Sequence, residues 1–129
     1  MLNRSGITTT NYTNVKQILA NVEMQASVGC IVAQAVGTTL ANGKKIAKAG
    51  TPIIVDYSNL QTPATAGTAT GNTPTANAVL LHDVDVTAGN ANGTALYFGV
   101  VNINRLETDV QAKVAAGINK IGAISFIKA

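Results

Sequence analysis

Apolar and polar positions fall into two apolar runs joined by a turn-forming loop, over residues 78–106. The first run is Ala-Val-Leu-Leu-His-Asp-Val-Asp-Val (78–86), and the second is Thr-Ala-Leu-Tyr-Phe-Gly-Val-Val-Asn-Ile-Asn-Arg-Leu (94–106). The linker Thr-Ala-Gly-Asn-Ala-Asn-Gly is built of turn formers, so the pattern predicts a β-hairpin. Side chains alternate between faces in a strand. Leu80, His82, Val84 and Val86 therefore share one face of the first strand, and Val79, Leu81, Asp83 and Asp85 the other. In the second strand the alternation places Leu96, Phe98 and Val100 together, with Tyr97, Val101 and Ile103 opposite. Both faces are apolar, so this strand is expected to be covered on both sides, by the domain itself or by another subunit.

Upstream, residues 1–14 are polar, with Leu2, Ile7 and Tyr12 the sizeable apolar groups after Met1. Such a segment buries too little surface to order by itself. It reads either as a frayed terminus or as an arm that orders on a partner. In residues 15–23, Val15, Ile18, Leu19 and Val22 have helical spacing, which gives a short N-terminal helix or, beside a β-rich neighbour, a strand. The β-branched run within residues 24–36 favours a strand. Asn42-Gly43 marks a hairpin turn because its positions favour positive φ. Lys44, Lys45 and Lys48 are read as an exposed edge. Gly50-Thr51-Pro52 turns the chain into a strand over 53–55, with proline acceptable at its start. Residues 61–77 contain no aromatic or large aliphatic side chain. They are expected to form a long exposed loop with little packing, either functional or a tolerated insertion.

Downstream, Leu106, Val110 and Val114 form an i, i+4, i+8 stripe, which predicts a helix over about 105–117. Asp109 and Lys113 would form an acid-first i, i+4 pair, with Gly117 as the terminating residue. Ile121, Ile124, Phe126 and Ile127 predict a closing strand, with alternation interrupted near Gly122. The fold class is therefore mainly β, with one short C-terminal helix. The organisation is an arm (1–14) and one β-rich domain (15–129).

Composition narrows the function. At 129 residues the chain is long enough to bury roughly two thirds of its unfolded surface. Charged residues are only 12%, about half the usual share. A low-charge surface suits packing against other subunits, although a bland soluble surface has the same composition. The net charge of +3 is scattered and not interleaved with aromatics, which argues against nucleic acid. No run approaches the ~18 apolar residues of a membrane span, and the first residues lack the pattern of a secretory signal.

Catalytic constellations are weak. Cys30 lies in an apolar run, which suppresses thiolate formation, and reads as a small buried hydrophobe. His82 falls on an apolar face, where a packed core or interface role is commoner than ligation. Asp83 and Asp85 would lie about 7 Å apart on one face, but calcium needs six or more oxygens, so two solvated carboxylates are the plainer reading. Gly67 to Gly71 lacks the lysine and the strand-to-helix setting of a phosphate loop. Asn11-Tyr12-Thr13 and Asn92-Gly93-Thr94 match glycosylation acceptors, but in an Asn- and Thr-rich chain they read as chance. No catalytic, metal or cofactor site is expected, and the protein is read as not an enzyme.

Ala78-Val-Leu-Leu-His-Asp-Val-Asp-Val86 and Ala91-Asn-Gly-Thr-Ala-Leu-Tyr-Phe-Gly-Val-Val-Asn-Ile-Asn-Arg-Leu106 resemble the head fiber and capsid decoration proteins of tailed bacteriophages. Ala49-Gly-Thr-Pro-Ile53 and the closing segment fit the same pattern, so the likeness spans about residues 44–128. These families are similar to the lambda-type decoration proteins. The resemblance implies a small β-barrel or β-tulip-like domain, commonly a homotrimer. It implies a virion protein, made in the host cytoplasm, that binds the major capsid (coat) protein on the outer surface of the mature capsid at three-fold positions and reinforces the shell. Leu2, Arg4, Ile7 and Tyr12 would belong to a capsid-binding arm, and Leu96, Tyr97, Phe98 and Val101 to a trimer or core interface. Two rivals stand beside this: a head fiber module binding a host surface or carbohydrate through residues 61–77, and a small hydrolase using His82.

Overall fold

The computed structural model describes residues 17–71, 73–114 and 117–129. Leu2, Arg4, Ile7 and Tyr12, the arm residues, lie outside the described residues, as does Val15. The architecture is mainly β. Ten strands are described: β1 (Ala26–Val32), β2 (Thr38–Thr39), β3 (Lys45–Ala47), β4 (Pro52–Ile54), β5 (Thr65–Ala66), β6 (Ala78–Leu80), β7 (Val84–Asp85), β8 (Ala91–Asn102), β9 (Gly117–Ile121) and β10 (Ala123–Ile127). A four-residue helix, α1 (Thr108–Gln111), follows β8.

The twelve-residue β8 is the spine. One edge pairs antiparallel with β1, and beyond β1 the segment around Leu19 bridges to Val101. The other edge carries β6, antiparallel at Val79–Leu96 and Leu80–Ala95, and then β10, parallel from Ala123–Phe98 to Ile127–Asn102. β4 and β5 extend the sheet beyond β6, and β9 extends it beyond β10. A second sheet has the order β2-β3-β7. The two sheets stay separate and do not close, which corrects the barrel expectation.

The reason for the second sheet lies in the first apolar run. Residues 78–86 are not one strand. The chain leaves the β8 ladder after Leu81, whose N–H donates to the Thr94 carbonyl at 3.0 Å. His82 and Asp83 are exposed in the break, and Asp83 Oδ1 accepts the Ala49 N–H at 2.7 Å. Val84–Asp85 then pairs with Ile46 and Ala47 of β3. β3 is thus the middle strand of its sheet, and the lysine-bearing segment is not the edge that its charges predict. The Asn42-Gly43 turn does form. Gly43, at φ 86°, donates to the Leu40 carbonyl at 3.0 Å, and the Lys44 N–H donates to Asn42 Oδ1.

Core residues divide into two clusters on opposite faces of the main sheet. Leu96, Val79, Leu81, Val101, Ile124 and Phe126 face one, which Ile18, Leu19 and the stripe Leu106, Val110 and Val114 complete. Ala95, Ala78, Leu80, Val32, Cys30 and Ile53 face the other, which Val84 and Ala47 of the second sheet cover, with Val86 just after β7. Residues 17–20 form neither the helix nor a regular strand. Ile18 and Leu19 are buried, while Val22 is exposed and so falls off the proposed helical stripe.

The C-terminal helix is shorter than its stripe predicts. Lys113 N–H donates to the Val110 carbonyl, a tighter three-residue turn, and Val114 is drawn into a bridge with Ala69. The stripe still serves its purpose, because all three residues are buried. Asp109 pairs with Lys48, 61 residues away in sequence, through both carboxylate oxygens at 3.0 Å. The hydrogen bond from Lys48 holds the Asp109 carboxyl below its usual range, with the Lys48 and Lys113 charges adding to the effect. A depressed carboxyl stabilises the fold above its unfolded pKa, and the stabilisation is lost as pH falls through the folded value. Asp109 is largely exposed, so Asp109→Asn should cost no more than about 1 kcal/mol at pH 7. That difference should shrink on acidification through pH ~4 and below, as urea titrations at pH 7 and pH 3 would read.

Residues 61–77 are not a bare loop. Thr65 and Ala66 pair with Ile54 and Ile53. Ala64, Ala69 and Ala76 are buried. Thr68 and Thr75 exchange backbone and hydroxyl hydrogen bonds at 3.0–3.1 Å. Small methyl groups pack where large side chains would not fit, so the segment is fixed without an obvious hydrophobic signal.

Candidate assembly surface

The decisive local feature is a β-bulge in β8. Ala26 pairs with Phe98 but Ser27 with Leu96, so Tyr97 is an extra residue opposite β1. A bulge of this kind resets the alternation of side chains. Leu96 and Val101 consequently lie on the same core face, although their spacing is odd. Of the four residues expected at a trimer or core interface, Leu96 and Val101 are fully buried core, whereas Tyr97 and Phe98 are 42% and 40% exposed.

The second cluster covers only part of its sheet face. Past Ala95 the same face continues as an open strip along β8 and β10. Phe98 stands opposite Ala123, and Val100 opposite Ser125. On β10, Ile124 and Phe126 point into the core, leaving Ala123, Ser125 and Ile127 outward. Met24, 56% exposed, borders the strip. Together Met24, Phe98, Val100, Ala123 and Ser125 line a shallow groove of about 290 Å³. Among the described residues no charged side chain lines it.

A second depression adjoins it at Tyr97. Val28, Tyr57, Asn77 and Tyr97 line a cleft of about 430 Å³. The Tyr57 and Tyr97 rings meet edge to face, 6.0 Å apart at 73°. Tyr57 is pinned, its hydroxyl donating to the Asn77 carbonyl at 3.0 Å. Asn77 is pinned in turn, accepting from Val55 N–H and donating to Val55 C=O, each at 2.8 Å. Burial, then the neighbouring Tyr97 and Cys30, push the Tyr57 phenol up, so it remains a neutral donor. Sequence reasoning missed this pair because Tyr57 and Tyr97 lie forty positions apart and the bulge decides where Tyr97 points.

The candidate catalytic groups are not brought together. Cys30 is buried, and burial pushes its thiol up. His82 is exposed in the break after β6 rather than packed on an apolar face. Asp83 is engaged by Ala49. Asp85 accepts from Thr87 N–H at 2.9 Å, and hydrogen bonding to Thr87 lowers its pKa. The strand break between these aspartates removes the shared face on which a cation site was considered. Among the described residues no group of three or more potential metal ligands occurs. No described helix is long and apolar enough to cross a membrane. No family model and no curated protein matches the chain.

Proposed function

We propose that this protein is a structural component of a bacteriophage virion. It binds the coat protein on the outer surface of the mature capsid as a homotrimer at three-fold positions and reinforces the shell, acting by binding rather than catalysis. The observation that carries the reading is the open apolar strip on β8 and β10, in a domain whose two cores are otherwise closed by its own chain. A contiguous exposed apolar patch marks an interaction surface. The resemblance of residues 78–106 to capsid decoration proteins is what supports reading that assembly as a capsid. Many equivalent sites on a shell make modest affinity per copy sufficient.

Sedimentation of the purified protein tests the association. The expected species has three times the 13.2 kDa chain mass, and it should bind expanded capsids but not immature ones. Phe98→Asp places a charge in the strip without touching either core, and should give a folded monomer with the wild-type circular dichroism spectrum, its melting temperature lowered only by the lost association. A wild-type monomer, or a trimer indifferent to Phe98→Asp, would overturn the assignment of this strip.

A further inference from the structure

We propose that the cleft between Tyr57 and Tyr97 binds a neutral saccharide. Among the described residues its lining of Val28, Tyr57, Asn77 and Tyr97 contains no charged side chain, so none of these four offers a counter-charge to a phosphate, a sialylated chain or a charged peptide. Its volume of about 430 Å³ falls in the usual range for small-ligand sites. A sugar ring has an apolar C–H face and a rim of hydroxyls. The cleft offers the complement of both.

Tyr57 and Tyr97 are 48% and 42% exposed and stand at 73° to one another, forming a corner in which one ring can stack while the other bounds the edge. Tyrosine supplies large amphipathic contact area at low conformational cost. Here the cost is lower still for Tyr57, which is held through Asn77 to the backbone of Val55. Among the described residues the Tyr97 hydroxyl has no hydrogen-bond partner, so it is available to a sugar hydroxyl. The cleft borders β1, whose edge away from β8 carries no strand over 26–29 among the described residues, so an extended peptide added there is the rival occupant, which the displacement arm below separates from a sugar. The site is also not the one that the sequence points to, since among the described residues of 61–77 it is Asn77 that lines it.

The chain has no tryptophan and three tyrosines, two of them in the cleft, so intrinsic tyrosine fluorescence reports on it directly. The probes are neutral oligosaccharides of two to four units: β-1,4-linked N-acetylglucosamine, β-1,4- and α-1,4-linked glucose, and mannose oligomers. At least one should give saturable change at millimolar or lower concentration. Tyr97→Ala should weaken that binding by about tenfold or more, and Tyr57→Phe, which releases the ring from Asn77, by a smaller factor. Both variants should keep the wild-type circular dichroism spectrum. Lack of saturation with every probe, or saturation that Tyr97→Ala leaves unchanged, would overturn the proposal. So would displacement of the change by a proline-rich peptide that binds more tightly than any sugar. The assay uses the isolated protein and no capsid, so its failure with the trimer intact removes this site alone.

Discussion

Phe126→Ala is expected to destabilise the domain by about 3–5 kcal/mol, the usual cost of truncating a buried phenylalanine. Phe126 is 1% exposed. It sits on β10 opposite Val101 of β8 and belongs to the cluster that also holds Ile18, Leu19, Leu96 and Ile124. Removing the ring leaves a cavity where three separate parts of the chain meet, so the site cannot easily collapse. Against a total of about 5–15 kcal/mol for a typical domain, this is a large fraction, and for a chain of this length it lowers the melting temperature by roughly 10–20 °C. Phe98→Ala is the control. It removes the same side chain from the exposed strip, and should cost the isolated chain less than about 1 kcal/mol. Equal losses for the two variants, measured at dilutions where the wild type is monomeric, would mean that the bulge at Tyr97 is misplaced and that the faces of β8 are assigned the wrong way round.

The second large effect is at Gly50. This residue has φ 90°, a conformation costing a residue with a Cβ roughly 1–2 kcal/mol. Its N–H donates to the Leu80 carbonyl at 2.7 Å, which fixes it against β6. A Cβ there would lie 2.4 Å from Leu106 Cδ2, and Leu106 is itself buried, so its methyl group has little room to move. Overpacking adds about 1–3 kcal/mol, for a total of about 2–5 kcal/mol. Gly43 separates the two contributions: at φ 86° it carries the same backbone strain, but a Cβ there meets nothing within 4 Å. Thermal denaturation of Gly43→Ala and Gly50→Ala should therefore differ by the packing term. A double variant Gly50→Ala/Leu106→Ala should cost less than the sum of the single changes. Strict additivity would contradict the close approach of this turn to Leu106.

Much of the fold was legible from spacing. The strand within 24–36, the Asn42-Gly43 turn, proline opening the 52–54 strand and the buried stripe Leu106, Val110 and Val114 all follow from local rules. Most of the misreadings come from non-local pairing. Alternation put Leu96 with Phe98 and Tyr97 with Val101. A single extra residue opposite β1 reverses that, and nothing in Leu-Tyr-Phe-Gly-Val-Val states where a partner strand will skip. The same holds at His82-Asp83, where a strand-like alternation conceals a break between two strands that is held by the Ala49 N–H on Asp83. Asp109 had a suitable partner four residues on, but a better one arrived from Lys48. Residues 61–77 looked unpacked because alanine methyls carry little hydrophobic signal. The candidate surface inherits these limits. Its residues were visible as apolar, but which of them face outward depended on the bulge.

The bulge also links fold to function. Without it, Phe98 would follow Leu96 into the core and β8 would present no open apolar strip. With it, Tyr97 and Phe98 emerge side by side at the boundary of the covered half-face, one bordering the aromatic cleft and the other the groove along β10. One irregularity thus creates both surfaces that a partner could use.

The reinforcement role is tested most directly by heating DNA-filled capsids, with and without the bound protein, and recording the temperature at which DNA is released. DNA release should occur at a higher temperature with the wild-type protein and show no rise with Phe98→Asp. Equal release temperatures with and without the wild-type protein, at full occupancy, would contradict it.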